Sequence, residues 1–152
     1  MDYAIMQFMK KFICLILMIF AFTSCQKATV NSSDFKWKPY SNLALAEAID
    51  QKKPVVIDFW AQWCPNCHDL DREVFSRPDI QAKLAKVVAL RMDVTNQDDP
   101  AVQKIIDQYG IEGVPTIVFL DSKGVEIPNS RVIGFVTAQE FSQAFALLAL
   151  LK

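Results

Sequence analysis

Two cysteines separated by two residues, Cys64 and Cys67, are the side chains of this 152-residue chain whose spacing could move electrons. One thiolate can attack a disulfide, and a thiol one turn away can then resolve the mixed disulfide. Two blander uses stay open: half of a zinc site, or an inert buried pair. Zinc wants four ligands, and the chain offers a single His and no second C-x-x-C. Asp58 stands in the apolar run VVIDFW just upstream. Burial there disfavours the carboxylate and raises its proton affinity toward neutral pH, where it could exchange protons. The alternative is a strand-edge Asp facing water. His68 follows Cys67 and could steady a thiolate as a cation, or be a solvated helix residue.

These residues need a strand and a helix to hold them. Val55 to Trp60 reads as a strand covered on both faces. After a short bend, Cys64 opens a helix carrying Leu70, Val74 and Phe75 at helical spacing. Free N–H groups and the helix dipole at that end favour a thiolate, so Cys64 is the expected nucleophile and Cys67 the resolving thiol. Pro65 fits the first turn, where a missing N–H costs nothing. The pair then lies at the C-terminal end of a central strand, the usual place for a site in an open α/β sheet. Trp63 is expected on the substrate surface and Trp60 in packing.

The other elements come from pattern and punctuation. Phe35 to Tyr40 is an edge strand or a packed arm, and Ser41 caps a helix to about Gln51. Ser76-Arg77-Pro78 breaks the active-site helix, and a shorter one runs to about Lys86. Val87 to Val94 is a strand. Asp99-Pro100 opens a helix that Gly110 closes. Strands are expected at Thr116–Leu120, Val125–Ile127 and Arg131–Gly134, the first two joined by the turn Asp121-Ser122-Lys123-Gly124. Thr137 to Glu140 is a capping box for a last helix with Phe141, Phe145 and Leu148 on one face. Asp69, Asp71, Arg72 and Glu73 are read as a solvated helix face. The order β-α-β-α-β-β-α gives an α/β fold, a mixed sheet flanked by helices.

The segment DFWAQWCPNC resembles the active site of the thioredoxin superfamily, with Asp58, Trp60, Ala61, Trp63, Cys64 and Cys67 on matching positions. DLDREVFSRPDIQ, MDVT, GVPTIVFLD and RVIGF extend the resemblance to the C-terminal thioredoxin-like domain of the DsbD-type membrane thiol:disulfide interchange proteins, over roughly Lys53 to Phe145. The resemblance implies a thioredoxin fold and a Cys64–Cys67 redox disulfide needing no other cofactor and no metal. It gives Asp58 the role of proton acceptor for Cys67. It implies a cis bond at Val114-Pro115, beside the dithiol, with Val114 and Pro115 binding the substrate chain. Without it, Pro115 reads as a simple loop-to-strand proline.

Outside this body, Met1 to Ser24 reads as a lipoprotein-type signal. Lys10 and Lys11 precede an apolar run, Phe12 to Phe22, that is short for a bilayer span. Phe22-Thr23-Ser24-Cys25 resembles a lipobox, which makes Cys25 the expected lipidated residue; an ordinary secretory signal and a retained anchor are the alternatives. Met9-Lys10-Lys11 makes a cleaner start than Met1. Residues 25–34 form a polar tether and 35–152 the domain. A net charge of −1 gives no reason for nucleic-acid partners. The expectation is a monomeric, lipid-anchored reductase of the bacterial periplasm or cell envelope. It would act on disulfide-bearing client proteins and be reloaded by a separate membrane electron carrier. A thiol oxidase or disulfide isomerase is the rival with the same residues, and a metal-delivery module using Cys64, Cys67 and His68 a third.

Overall fold

The computed structural model describes residues 35–148. Residues 1–34, with the expected signal, Cys25 and the whole of the tether, lie outside the described residues. A five-stranded sheet runs in the order β1-β3-β2-β4-β5. Its strands are β1 (Lys38–Pro39), β2 (Val55–Trp60), β3 (Val88–Asp93), β4 (Thr116–Leu120) and β5 (Val132–Ile133). β1 and β2 run parallel to β3, whereas β4 is antiparallel to both β2 and β5. The sheet is therefore mixed, as expected, with β2 in the middle.

Alternation along the strands feeds two cores. Val55, Ile57 and Phe59 join Leu90, Val118 and Leu120 on one face, beneath α1 (Asn42–Asp50) and α4 (Pro100–Tyr109). Val56, Ile117 and Phe119 face the other way, against α2 (Pro65–Leu70), α3 (Pro78–Leu84) and α5 (Ala138–Ala146). Val55, Val56, Ile57 and Phe59 are fully buried. Each such side chain contributes about 1.5–3 kcal/mol of transfer free energy, which makes β2 a rigid base for the turn and helix at its end.

Several local signals hold in detail. Ser41, Asp99 and Thr137 cap α1, α4 and α5 with their side-chain oxygens. Gly110 ends α4 at φ 58, left-handed backbone that a side chain would strain. Phe141 is buried, and Phe145 and Leu148 pack on the same core.

Two readings change. The expected strand at Val125–Ile127 is a single bridge, Leu120 to Glu126. Pro128 brings no N–H, and Asn129 turns the chain at φ 60, so the ladder cannot continue. The active-site helix is not uniform either: after Leu70 it widens into a π-helical turn, Asp71–Phe75.

Candidate functional site

The site forms where β2 hands the chain to α2. Cys64 is the N-cap of α2, in extended backbone, and its Sγ accepts the Cys67 N–H at 3.1 Å. Pro65 takes the first turn, as its missing donor requires. Cys64 and Cys67 are joined as a disulfide with Cα atoms 5.3 Å apart. Both are buried, at 3% and 1% exposure, so in this oxidised form Cys64 is not the exposed thiol that its place in sequence suggested. What separates the two is the cap: Cys64 Sγ already receives an N–H at the helix end, the contact that favours a thiolate.

The turn between β2 and α2 is tied to the loop after β3. Thr95 accepts the Gln62 N–H on its hydroxyl at 2.9 Å and the Trp63 indole N–H on its carbonyl at 3.1 Å. Trp63 stays 57% exposed beside Cys64. His68 does not face solvent freely: its Nε2 lies 2.8 Å from the Gln62 carbonyl, and its ring meets Trp60 edge-on. With that carbonyl as acceptor, Nε2 carries the proton.

Val114–Pro115 is a cis peptide. Pro115 is buried and Val114 half-buried. The Pro115 carbonyl accepts the Gly134 N–H at 2.8 Å, so Gly134, at φ 78, holds this corner to β5. Phe135, 40% exposed, comes next on the same segment.

Asp58 is buried in the middle of β2 at 1% exposure, not at a wet strand edge. Burial pushes its pKa up to about 6, against the opposing pull of Arg91 and with a small further push from Asp71. Arg91 is the residue that sequence reading missed. It stands opposite Asp58 in the parallel β2–β3 register. Its Nε donates to Asp58 Oδ2 at 2.8 Å and its Nη2 to Asp71 Oδ1 at 2.7 Å. The guanidinium also lies over two indoles, 4.7 Å from the Trp60 centroid and 5.5 Å from that of Trp37. Burial lowers the guanidinium's proton affinity, but the two carboxylates outweigh it and raise Arg91 overall. Asp58 Oδ1 is buried with no hydrogen-bond partner among the described residues.

This corrects one reading and refines another. Asp71 is not part of a solvated face, because it reaches Arg91; Asp69, Arg72 and Glu73 are, since they pair with one another at the surface. Trp60 packs, as expected, but on a charge. Trp37 covers the other side of that charge and meets Phe75 edge-on. The missed signal was an Arg between the apolar Leu90 and Met92 of β3, the same expense that drew attention to Asp58.

Chemically, the arrangement offers a reversible dithiol at the end of β2, an acid within that strand whose raised proton affinity suits exchange near neutral pH, and an exposed aromatic residue next to Cys64 in the chain. No group of three or more His, Cys, Asp or Glu among the described residues is placed to hold a metal ion.

Comparison with known proteins points the same way. The family profile described as a thioredoxin-like domain matches residues 41–149. The thiol:disulfide interchange protein DsbD of Photorhabdus laumondii is 40% identical over 91 residues, covering 60% of this chain and 16% of that protein. The chain thus spans about a sixth of that relative's length. The C-terminal domain of Neisseria meningitidis DsbD in its oxidised form superposes with a TM-score of 0.58 at 26% identity, covering 72% of this chain and 97% of that one. A Thermus thermophilus thioredoxin gives 0.63 at 28%, covering 76% and 88%.

Proposed function

The chain belongs to the thioredoxin-like domain family, and on that premise we propose that it is a thiol:disulfide oxidoreductase that reduces disulfides in extracytoplasmic client proteins. One observation carries the reading: a closed Cys64–Cys67 pair at the N-terminus of α2, at the end of the central strand.

In the reduced enzyme, Cys64 thiolate attacks one sulfur of the client disulfide. A mixed disulfide forms and the client's other sulfur leaves as a thiolate. Cys67 gives its proton to Asp58 and attacks Cys64 Sγ. The second client sulfur leaves as a thiolate, and Cys64–Cys67 closes. Two electrons have passed to the client. Trp63, Val114 and Pro115 bind the client chain beside the dithiol.

Electrostatics support reduction as the direction. A dithiol that strongly stabilises its thiolate is an oxidant. Here Pro65 and Asn66 place no cation between the cysteines. Arg91, the strongest nearby cation, is held between Asp58 and Asp71, so that with both ionised the trio sums to −1 (+1 − 1 − 1). We read the protein as lipid-anchored through Cys25 in the bacterial envelope and reloaded by a membrane electron carrier on a separate chain. Among the described residues no helix is long and apolar enough to cross a membrane. Relatives named for thiol:disulfide interchange support the activity.

Equilibration with a glutathione redox buffer, read by thiol alkylation, tests the direction. The expected potential lies nearer about −270 mV than about −120 mV. A value above roughly −180 mV hands the case to the isomerase or oxidase reading.

A further inference from the structure

The loop that leads to cis Pro115 borders a cavity the exchange chemistry does not use. It has a volume of about 160 Å³ and lies between the segment after β3, the middle of α4, and the loop before Pro115. A water's share of liquid is about 30 Å³, so the space exceeds what one solvent molecule needs. Its exposed lining is more polar than apolar: Gln97, Gln103 and Glu112 supply polar groups, and Ile106, Ile111 and Val114 a narrower apolar strip. Gln103 spends an amide N–H on Asp107, 2.9 Å away, which leaves its acceptor oxygen uncommitted. The cation beside this loop, Arg131, is bound by both oxygens of Glu126 at 2.8 and 2.7 Å and by the Gly110 carbonyl at 3.2 Å. Glu112 is exposed and makes no ion pair among the described residues, although its charge adds to the field that raises Arg131.

We propose that this cavity is a specificity subsite for a lysine or arginine of the client, close in sequence to the cysteine under attack. The aliphatic stem would lie along Ile106, Ile111 and Val114, and the cationic head would meet Glu112. The proposal rests on the oxidoreductase reading. Its geometry is that Val114 belongs to the cavity wall and directly precedes Pro115. A client chain bound along Val114 therefore carries its flanking side chains past the opening. Long basic side chains suit such a site because they bury an apolar stem while the charged head stays at the rim. An acidic client residue would meet Glu112 with Arg131 already occupied, so the same carboxylate rejects as well as selects.

The test uses the full chain, reduced, with disulfide peptides that differ at one position. Lys, norleucine or Glu is placed at each site within two residues of the attacked cysteine, and second-order reduction rates are measured. At one of these positions the wild type should prefer Lys over norleucine by about threefold, the size of an exposed ion pair, and norleucine over Glu. High salt should shrink the preference. Glu112→Gln should bring the lysine rate down to the norleucine rate, and Glu112→Lys should reverse the order of Lys and Glu. Equal rates for the three peptides at every position, or a preference untouched by Glu112→Gln, overturns the subsite and leaves the oxidoreductase reading standing. Failure of the wild type to reduce any peptide overturns that reading, and the subsite with it.

Discussion

Replacing Asp58 with Asn should make stability less dependent on pH: relative to wild type, the oxidised variant should gain stability as pH rises from acid to neutral. Asp58 is 1% exposed, and burial lifts its pKa from an ordinary 3.8 to about 6 even with Arg91 beside it. Folding therefore raises its proton affinity. The stability linked to that proton is fully present below pH 3.8 and is lost as pH rises through about 6. A shift of about 2 units is worth about 3 kcal/mol at 1.36 kcal/mol per unit. Asparagine cannot ionise, so the variant escapes this loss. The stability difference between variant and wild type should then fall by about 3 kcal/mol between pH 8 and pH 3, with roughly half gone by pH 5. Losing the Arg91 ion pair adds an offset, so the slope with pH carries the argument rather than the value at one pH. Urea unfolding of both oxidised proteins across that range measures it, and the other titrating groups cancel in the difference. A difference that stays flat from pH 8 to pH 4 would show that Asp58 is not a buried carboxylate with raised proton affinity.

The remaining expectations use the same site. Cys67→Ser should accumulate mixed disulfides with clients and Cys64→Ser almost none; equal trapping, read by non-reducing electrophoresis, would undo the assignment of Cys64 as nucleophile. The pH profile of thiol exchange should rest on Asp58: Asp58→Asn should slow exchange near neutrality, and Arg91→Met should move the midpoint up by about 1 unit or more, the size of losing an adjacent opposite charge. An unmoved midpoint in stopped-flow kinetics would make Arg91 merely structural. The mature protein should begin at Cys25 and carry lipid, which mass spectrometry of the membrane fraction would reveal; an unmodified start elsewhere in a soluble extracellular fraction would refute it.

The dithiol was legible in the sequence because its determinants are local. Spacing puts Cys64 and Cys67 one turn apart, Pro65 starts the helix, and the apolar run before them makes a buried strand. Asp58 was legible for a related reason: an acid within VVIDFW is costly if buried, and burial raises its proton affinity; the sequence left a wet strand edge open, and the structure closes that alternative. Its partner was harder to see. Arg91 becomes adjacent only through the parallel β2–β3 register, 33 residues on, and Asp71 comes from a separate helical turn. A single-sequence pattern marks which side chains are costly to bury, but it does not say which of them pair. Two costly residues in neighbouring strands, Asp58 and Arg91, are each other's explanation: each desolvated charge is offset by the other, and Trp60 and Trp37 shield the pair from water. Arg91 thereby makes the acid a proton exchanger restrained by a cation. The same reasoning explains why a pKa of about 6 is useful here: desolvation alone would push the carboxyl further, and Arg91 holds it where it can still take and release a proton near neutral pH.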